Sequence, residues 1–282
     1  MILKEFPSSS ATKGVVRVYR IAHFILAGIE TSPVKVYTPR PEHCLHFFVH
    51  ERETAEYPDG RRLQSGCALT GLHDVTVRRF VPRDFLMLQV VFEPTALHRL
   101  TRIHAAALRN QYIDATSVWG SEVLRINEQL CEARSYAHMV GIVDGFVARL
   151  VARSRAVRKF DLALQVLRDN PGVSIDWLAH RTSLSMRQFE RRCRQQIGMG
   201  PKEFLRLGRF DRAFYTKLSH PGRDWLTIAV DCGYTDYQHM VKDFKDFTSQ
   251  TPPKAFEAQS TSPERLLGVT QEFDVTDPGR DA

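Results

Sequence analysis

Cysteine is scarce in this chain, and long apolar runs are missing from it. The five cysteines among 282 residues form an odd set without a Cys-x-x-Cys pair, so the sequence indicates neither a disulfide framework nor a zinc ribbon. No apolar run approaches the ~20 residues of a membrane-spanning helix, and the first residues lack a signal-peptide pattern. We therefore expect a soluble, cytoplasmic protein without a membrane partner.

Signatures of catalysis are also missing. The sequence contains no Gly-rich phosphate loop and no nucleophile elbow. His43, His46 and His50 are the best metal candidates, but strand periodicity places His46 and His50 on one face and His43 on the other. That geometry, without a fixed carboxylate partner, disfavours a three-ligand site. We expect no catalytic residue, no bound metal and no cofactor.

Positive charge is concentrated towards the C-terminus. The formal net charge is +7, and residues 155–256 carry 18 basic against 11 acidic side chains. Residues 257–282 reverse this balance, with 6 acidic against 2 basic side chains, and lack periodicity, which predicts a disordered acidic tail. A basic domain is the electrostatic footprint of a protein that binds a polyanion.

The N-terminal half has the pattern of a β-rich domain followed by helices. Six strand-length apolar runs lie between Val15 and Phe92, and Pro or Gly residues separate them. This spacing predicts a small β-sandwich or cupin-like barrel. From Thr95 to Val151 apolar residues recur at helical spacing. These helices either cover one face of the β-rich part or form a dimer interface.

Two similar helix pairs follow between residues 161 and 256. The first pair covers 175–197 and the second 226–247, and a spacer helix that starts at Pro201 joins them. Corresponding residues lie fifty positions apart at Ala179/Ala229 and Ser183/Gly233, and fifty-one apart at Cys193/Phe244 and Pro201/Pro252. The repeat predicts two helix-turn-helix units that can enter successive major grooves, about 34 Å apart on one face of a DNA duplex.

Three motifs in this region resemble those of the AraC/XylS family of transcription regulators. They are RFDRA (209–213), TIAVDCGY (227–234) and FKDFTSQTP (244–252), and the likeness covers about a third of the chain. FEP (92–94), LHRL (97–100) and VWG (118–120) resemble the β-rich sensor domain of some members. The sequence departs from the family pattern at Ser183, where a residue such as Gly is frequent, and at Cys193, where Phe is common.

The resemblance implies which side chains meet DNA. It places base contacts at Arg187, Glu190 and Arg191 in the first unit, and at Tyr237, Gln238, His239 and Lys242 in the second. Arg suits guanine, Gln suits adenine and Glu accepts a hydrogen bond from cytosine. Arg194 and Lys245 would hold phosphates. Gln188 also faces outwards in the first unit and is the remaining DNA-binding candidate.

Some of these side chains have an alternative structural role. Gln188 follows Ser185 by three residues, and Gln238 follows Thr235 by three residues. This is the spacing of a capping box. We favour the cap for Gln188, whereas for Gln238 capping and base reading stay open. Trp177 and Trp225 are expected in the core.

The sequence thus predicts an α+β protein with a β-rich sensor or dimerisation domain over 1–152, a linker over 153–160, a DNA-binding domain over 161–256 and a tail. We expect a sequence-specific transcription regulator, an activator by resemblance. Its partners would be double-stranded DNA, RNA polymerase, a small-molecule effector and a second copy of the chain. The alternatives are a small-molecule or metal-dependent enzyme barrel with an accessory helical domain, and a non-specific nucleic-acid packaging protein.

Overall fold

Strands fill the first third of the chain and helices most of the remainder. The structure is a computed structural model and describes residues 2–26, 34–57, 60–260 and 274–275. The strands are β1 (Ile2–Phe6), β2 (Val16–Ile25), β3 (Val34–Tyr37), β4 (His43–Phe48), β5 (Thr54–Tyr57), β6 (Gly60–Leu63), β7 (Cys67–Thr70), β8 (Val77–Phe80), β9 (Asp84–Phe92), β10 (Tyr112–Asp114) and β11 (Asp274–Val275).

The strands form two sheets. The larger has the order β10-β7-β4-β9-β2-β1-β11 and the smaller the order β3-β8-β5-β6. All pairs are antiparallel except β1 with β11. No pairing between described strands joins the two sheets into a closed barrel. The N-terminal part is therefore a two-sheet structure, which agrees with the sandwich alternative.

Both faces of the larger sheet pack against other parts of the protein. Side chains alternate along each strand, so neighbouring residues belong to different clusters. In β2, Tyr19 and Ile21 face a cluster shared with helices, whereas Ala22 and Phe24 face the space beside the smaller sheet. The accompanying helices are α1 (Ala96–Thr101), α2 (Thr116–Trp119), α3 (Glu122–Cys131) and α4 (Tyr136–Ala152), with a 3-10 turn at Ala105–Leu108. The predicted helical segment thus covers one face of the sheet.

Seven helices make up the C-terminal part of the described chain. They are α5 (Lys159–Asp169), α6 (Ile175–Arg181), α7 (Met186–Ile197), α8 (Pro201–Ser219), α9 (Trp225–Asp231), α10 (Tyr237–Thr248) and α11 (Pro252–Ser260). Pro201 opens the spacer helix α8 at its first turn, as predicted. One apolar cluster joins all these helices, and Leu72 from the loop after β7 inserts into it.

The end of the chain is only partly described. Helix α11 continues through Ser260, past the predicted domain boundary at Phe256, and Asp274–Val275 pair with β1. The rest of the predicted disordered tail lies outside the described residues. Within the described ranges, no helix is both long and apolar enough to cross a bilayer.

The N-terminal and C-terminal parts are joined by one buried and one partly exposed group of polar contacts. Asp161 accepts hydrogen bonds from Thr95 Oγ1 at 2.6 Å and from Arg155 at 2.6 and 2.8 Å. Arg109 pairs with both Asp74 and Glu203, so it ties the loop after β7 to α8. Residues 153–158 separate the end of α4 from the start of α5, so the last two residues of the predicted linker (153–160) belong to α5.

Candidate nucleic-acid interface

The two helix pairs have the same turn. Leu184 N–H donates to the Ala179 carbonyl at 3.0 Å, and Tyr234 N–H donates to the Ala229 carbonyl at the same distance. Both turns need a left-handed residue, which is Gly233 in the second unit (φ 80°) and Ser183 in the first (φ 57°). Ser183 therefore carries the strain that a glycine would avoid at this position.

Capping residues locate the insertion that the repeat predicts. Ser174 caps α6 and Asp224 caps α9, fifty positions apart. Ser185 caps α7 and Asp236 caps α10, fifty-one positions apart. The extra residue therefore lies between Gly233 and Asp236. The cap of α10 is Asp236, so the capping box considered between Thr235 and Gln238 does not form.

This shift shows which of the two glutamines takes part in a capping box. Gln188 closes the predicted capping box: its Oε1 accepts from Ser185 N–H at 3.0 Å, and its own N–H donates to Ser185 Oγ at 3.3 Å. In α10 the N–H of His239, rather than that of Gln238, donates to the capping Asp236 at 2.7 Å. Gln238 does not belong to a capping box, and its side chain is exposed.

The outer faces of α7 and α10 correspond at three exposed positions. With the offset of fifty-one, the exposed side chains at helix positions two, six and nine are Arg187, Arg191 and Arg194 in α7, and Gln238, Lys242 and Lys245 in α10. The opposite faces are buried at Phe189, Cys193 and Ile197 in α7, and at Met240, Phe244 and Phe247 in α10. Cys193, which lies where Phe is common in the family, is thus fully buried. Each helix presents long polar donors on a rigid base.

Three other side chains that were predicted to contact DNA make contacts within the protein. Glu190 lies 3.7 Å from Arg194, one turn along α7, as an ion pair. The ring of His239 packs edge-on against Tyr234, with 5.4 Å between ring centroids. Tyr237 is half-buried against the C-terminal apolar cluster.

The sequence pattern missed the buried carboxylate that fixes α10 on the spacer helix. Asp243 has no exposed surface, and Arg206 Nε of α8 donates to it at 2.9 Å. Arg209 lies 4.0 Å away on the same helix. In the sequence, Asp243 adjoins the apolar stripe of α10 at Met240 and Phe244. An acidic residue on a face that is otherwise apolar could have indicated a buried ion pair.

One predicted core residue is at the surface. Trp177 is 51% exposed, and the guanidinium carbon of Arg181 lies 5.7 Å from its ring centre. Helix α6 has only seven residues and buries Leu178 and Ala179, so Trp177 falls outside its narrow buried face. Trp225, the other tryptophan expected in the core, is the first residue of α9 and packs edge-on against Phe244.

A scan of protein families matches residues 178–258 to a family described as helix-turn-helix domain. Residues 178–258 are a helix-turn-helix domain of the AraC/XylS type. Similar curated proteins include the HTH-type transcriptional activator RhaS of Pectobacterium carotovorum, 33% identical over 88 residues, and that of Mannheimia succiniciproducens, 31% identical over 88 residues. These alignments cover 30% of this chain, and 31% and 32% of the relatives.

Solved structures found to be similar to this chain include ToxT from Vibrio cholerae. One ToxT crystal form has 7% sequence identity and a TM-score of 0.48, and covers 85% of this chain and 98% of that one. A ToxT structure with a bound unsaturated fatty acid has 10% identity and a TM-score of 0.42, and covers 87% and 96%.

The N-terminal part contains a second feature, a cavity of about 100 Å³ between its two sheets. Arg79 lies on its wall, 2% exposed, paired with the buried Glu53 and placed between the rings of Tyr37 and Tyr112 at 4.4 and 4.0 Å. Arg79 Nε is buried and has no hydrogen-bond partner among the residues that the structure describes.

Two imidazoles also line this cavity. Burial and the charge of Arg79 lower the pKa of His46 well below its usual value, and burial lowers the pKa of His73 to about 4. Both rings are therefore neutral near pH 7, and each can donate one hydrogen bond and accept another. Of the three histidines weighed as metal ligands, only His46 faces the cavity; His43 is buried elsewhere, and His50 lies beyond the end of β4.

Proposed function

We propose that this chain is a sequence-specific DNA-binding transcription regulator, and that it acts as an activator. The carrying observation is the match between two exposed polar triads at helix positions two, six and nine of α7 and α10. Residues near the start of a second helix are those that contact base edges in helix-turn-helix proteins. The similar RhaS proteins are named as transcriptional activators, which supports the direction of regulation.

Each position of the triads receives a role. Arg187 and Arg191 suit guanine, Gln238 suits adenine and Lys242 suits guanine, so the two helices would read different half-sites. Arg194 and Lys245 lie further along the helices and would hold phosphates, which sets register without reading sequence. Glu190 would read cytosine only by exchanging its pairing with Arg194 for the base.

The first test compares two arginines of α7. Arg191→Ala should weaken binding to the preferred site by about 1 to 3 kcal/mol and relax the preference at one base pair. Arg194→Ala should weaken binding to all sequences alike and reduce the dependence of affinity on salt by about one ion. Binding of both variants to preferred and random duplexes, measured at several salt concentrations, checks this; unchanged affinity and preference in both would contradict the contact assignment.

The glutamines provide a matched pair. Gln238→Ala should lower affinity for the preferred site by about 1 to 3 kcal/mol while leaving the free energy of unfolding within ~0.5 kcal/mol. Gln188→Ala should have the reverse effect, with a loss of about 0.5 to 1 kcal/mol of stability, because it removes one hydrogen bond of an exposed capping box. Chemical denaturation and DNA titration of both variants separate the roles; equal behaviour would contradict them.

The proposal assigns residues 1–152 to effector sensing and dimerisation, 153–160 to the linker and 161–256 to DNA binding, with RNA polymerase as the protein that an activator recruits. The cavity between the two sheets supports the sensing role, because its size is comparable with the ~150 Å³ cavities that take up small ring compounds. Its guanidinium and neutral imidazoles would select a small polar effector. Effector binding would then shift an equilibrium between ways of presenting the DNA-binding domain.

A further inference from the structure

Three side chains that are distant in sequence meet at one end of the larger sheet. Asp84 opens β9, the strand between β2 and β4. His23 lies on β2, and His50 follows the end of β4, so the two histidines flank the carboxylate. One possible ligand atom from each residue lies within 4.8 Å of those of the other two.

His23 is oriented as a ligand would be. Its Nδ1 lies 2.7 Å from the hydroxyl of Tyr136, the first residue of α4. Its Nε2 is buried and has no hydrogen-bond partner among the described residues. Metal-ligating histidines commonly have this arrangement, with one ring nitrogen held by an oxygen and the other free for the ion. A buried ring nitrogen without any partner is otherwise unfavourable.

His50 and Asp84 supply the other two ligands. His50 Nδ1 lies 2.8 Å from Asp84 Oδ1, and their side chains are 37% and 46% exposed. An ordinary ion pair would account for that contact but not for the free nitrogen of His23.

We propose that His23, His50 and Asp84 bind one divalent transition-metal ion of the zinc type. Two imidazoles and one carboxylate are a ligand set that zinc accepts, with a fourth position left for solvent. Ligand atoms at about 2.0 to 2.2 Å from a tetrahedral ion lie roughly 3.4 Å from one another. Here the three atoms lie within 4.8 Å of one another, and those of His50 and Asp84 are 2.8 Å apart, so the side chains must adjust around the ion. The exposed side chains of His50 and Asp84 can turn towards His23, which Tyr136 holds in place.

The ion would fasten three strands together and, through Tyr136, connect them to the first turn of α4. No residue of α7 or α10 takes part, so the proposal goes beyond DNA binding and is tested independently of it.

The test is Zn²⁺ titration of the full chain after removal of metal with a chelator, in competition with a chromophoric chelator. One Zn²⁺ per chain should bind with micromolar or tighter affinity. His23→Ala and Asp84→Asn should each weaken binding at least tenfold, and Tyr136→Phe by about 10- to 100-fold through loss of the orienting hydroxyl. His180→Ala, which removes an exposed histidine from α6, should leave affinity unchanged.

Thermal unfolding provides the second readout. Zn²⁺ should raise the melting temperature of the native chain and of His180→Ala, but not that of His23→Ala, whose melting without zinc shows whether it folds. Co²⁺ should give the visible spectrum of a nitrogen- and oxygen-ligated site, and Asp84→Asn should change it. Binding weaker than millimolar, or equal affinity in His23→Ala, Asp84→Asn and the native chain, would overturn the proposal.

Discussion

Replacing Asp161 by alanine should lower the free energy of unfolding by about 3 to 5 kcal/mol, the usual cost of removing one member of a buried ion pair. Asp161 is 2% exposed and accepts hydrogen bonds from Thr95, from both terminal nitrogens of Arg155 and from the N–H of Arg158 at 2.7 Å. Its loss would leave the Arg155 guanidinium largely buried without its partner. Chemical denaturation of the full chain measures the effect.

Asp169 on the same helix is the matched control. It is 57% exposed on its side chain, so Asp169→Ala should change stability by no more than about 0.5 kcal/mol. If the two alanine variants lost similar stability, the buried network would not be the cause. Because Thr95 belongs to the N-terminal part, Asp161→Ala should also expose the connecting segment to proteases.

The network has a defined pH dependence. Burial alone would raise the pKa of Asp161, but hydrogen bonds from Arg155, Thr95 and the Arg158 N–H outweigh it and place that pKa below its ordinary value. A lowered pKa in the folded state gives stability that is present above the unfolded value of about 4 and is lost as the pH falls through the folded value. The native chain should therefore lose this contribution in acid, whereas Asp161→Asn should lack it at every pH.

Replacing Asp243 by alanine should have the second largest effect, about 2 to 3 kcal/mol of stability. The carboxylate has no exposed surface, but Arg206 is about a third exposed and can regain water, which reduces the loss. Since Asp243 fixes α10 on α8, the variant should also lose DNA affinity more than its stability explains. Unfolding and DNA titration at a temperature where the variant is folded measure both.

Asp246→Ala is the control that separates the effect of burial from the effect of losing a negative charge beside Arg206. Asp246 also pairs with Arg206, but its side chain is 45% exposed, so Asp246→Ala should cost about 0 to 1 kcal/mol. Equal losses from the Asp243 and Asp246 variants would mean that the bracing of α10 does not depend on the buried carboxylate.

The sequence predicted the features that depend on residues close together in the chain. Apolar stripes at Phe189, Cys193 and Ile197 define the buried face of α7, and the fifty-residue repeat identifies the second unit. The capping box of Gln188 followed from spacing alone, because both partners lie within one helical turn. Five of the described strands escaped prediction, namely β1, β5, β6, β10 and β11. Strand β6 (Gly60–Leu63) is exposed along its length and has no apolar pattern to detect.

Contacts between distant residues had no local signal. The insertion near Thr235 and Asp236 could be placed only when the cap itself was visible, since Ser, Thr and Asp all suit that position. Leu72 in the C-terminal core and the pairing of Asp161 with Thr95 depend on how the two parts pack. His50 was considered with His43 and His46, its sequence neighbours, whereas the fold brings it to His23 and Asp84.

Selection of bound sequences from a random DNA pool, followed by changes in the spacing of the selected halves, tests the central claim most directly. We predict two different motifs per chain, with centres about one helical turn (~10 base pairs) apart, and a steep loss of affinity when ~5 base pairs are inserted between them. A single motif that tolerates the insertion, or random duplex bound as tightly as any selected site, would contradict the account.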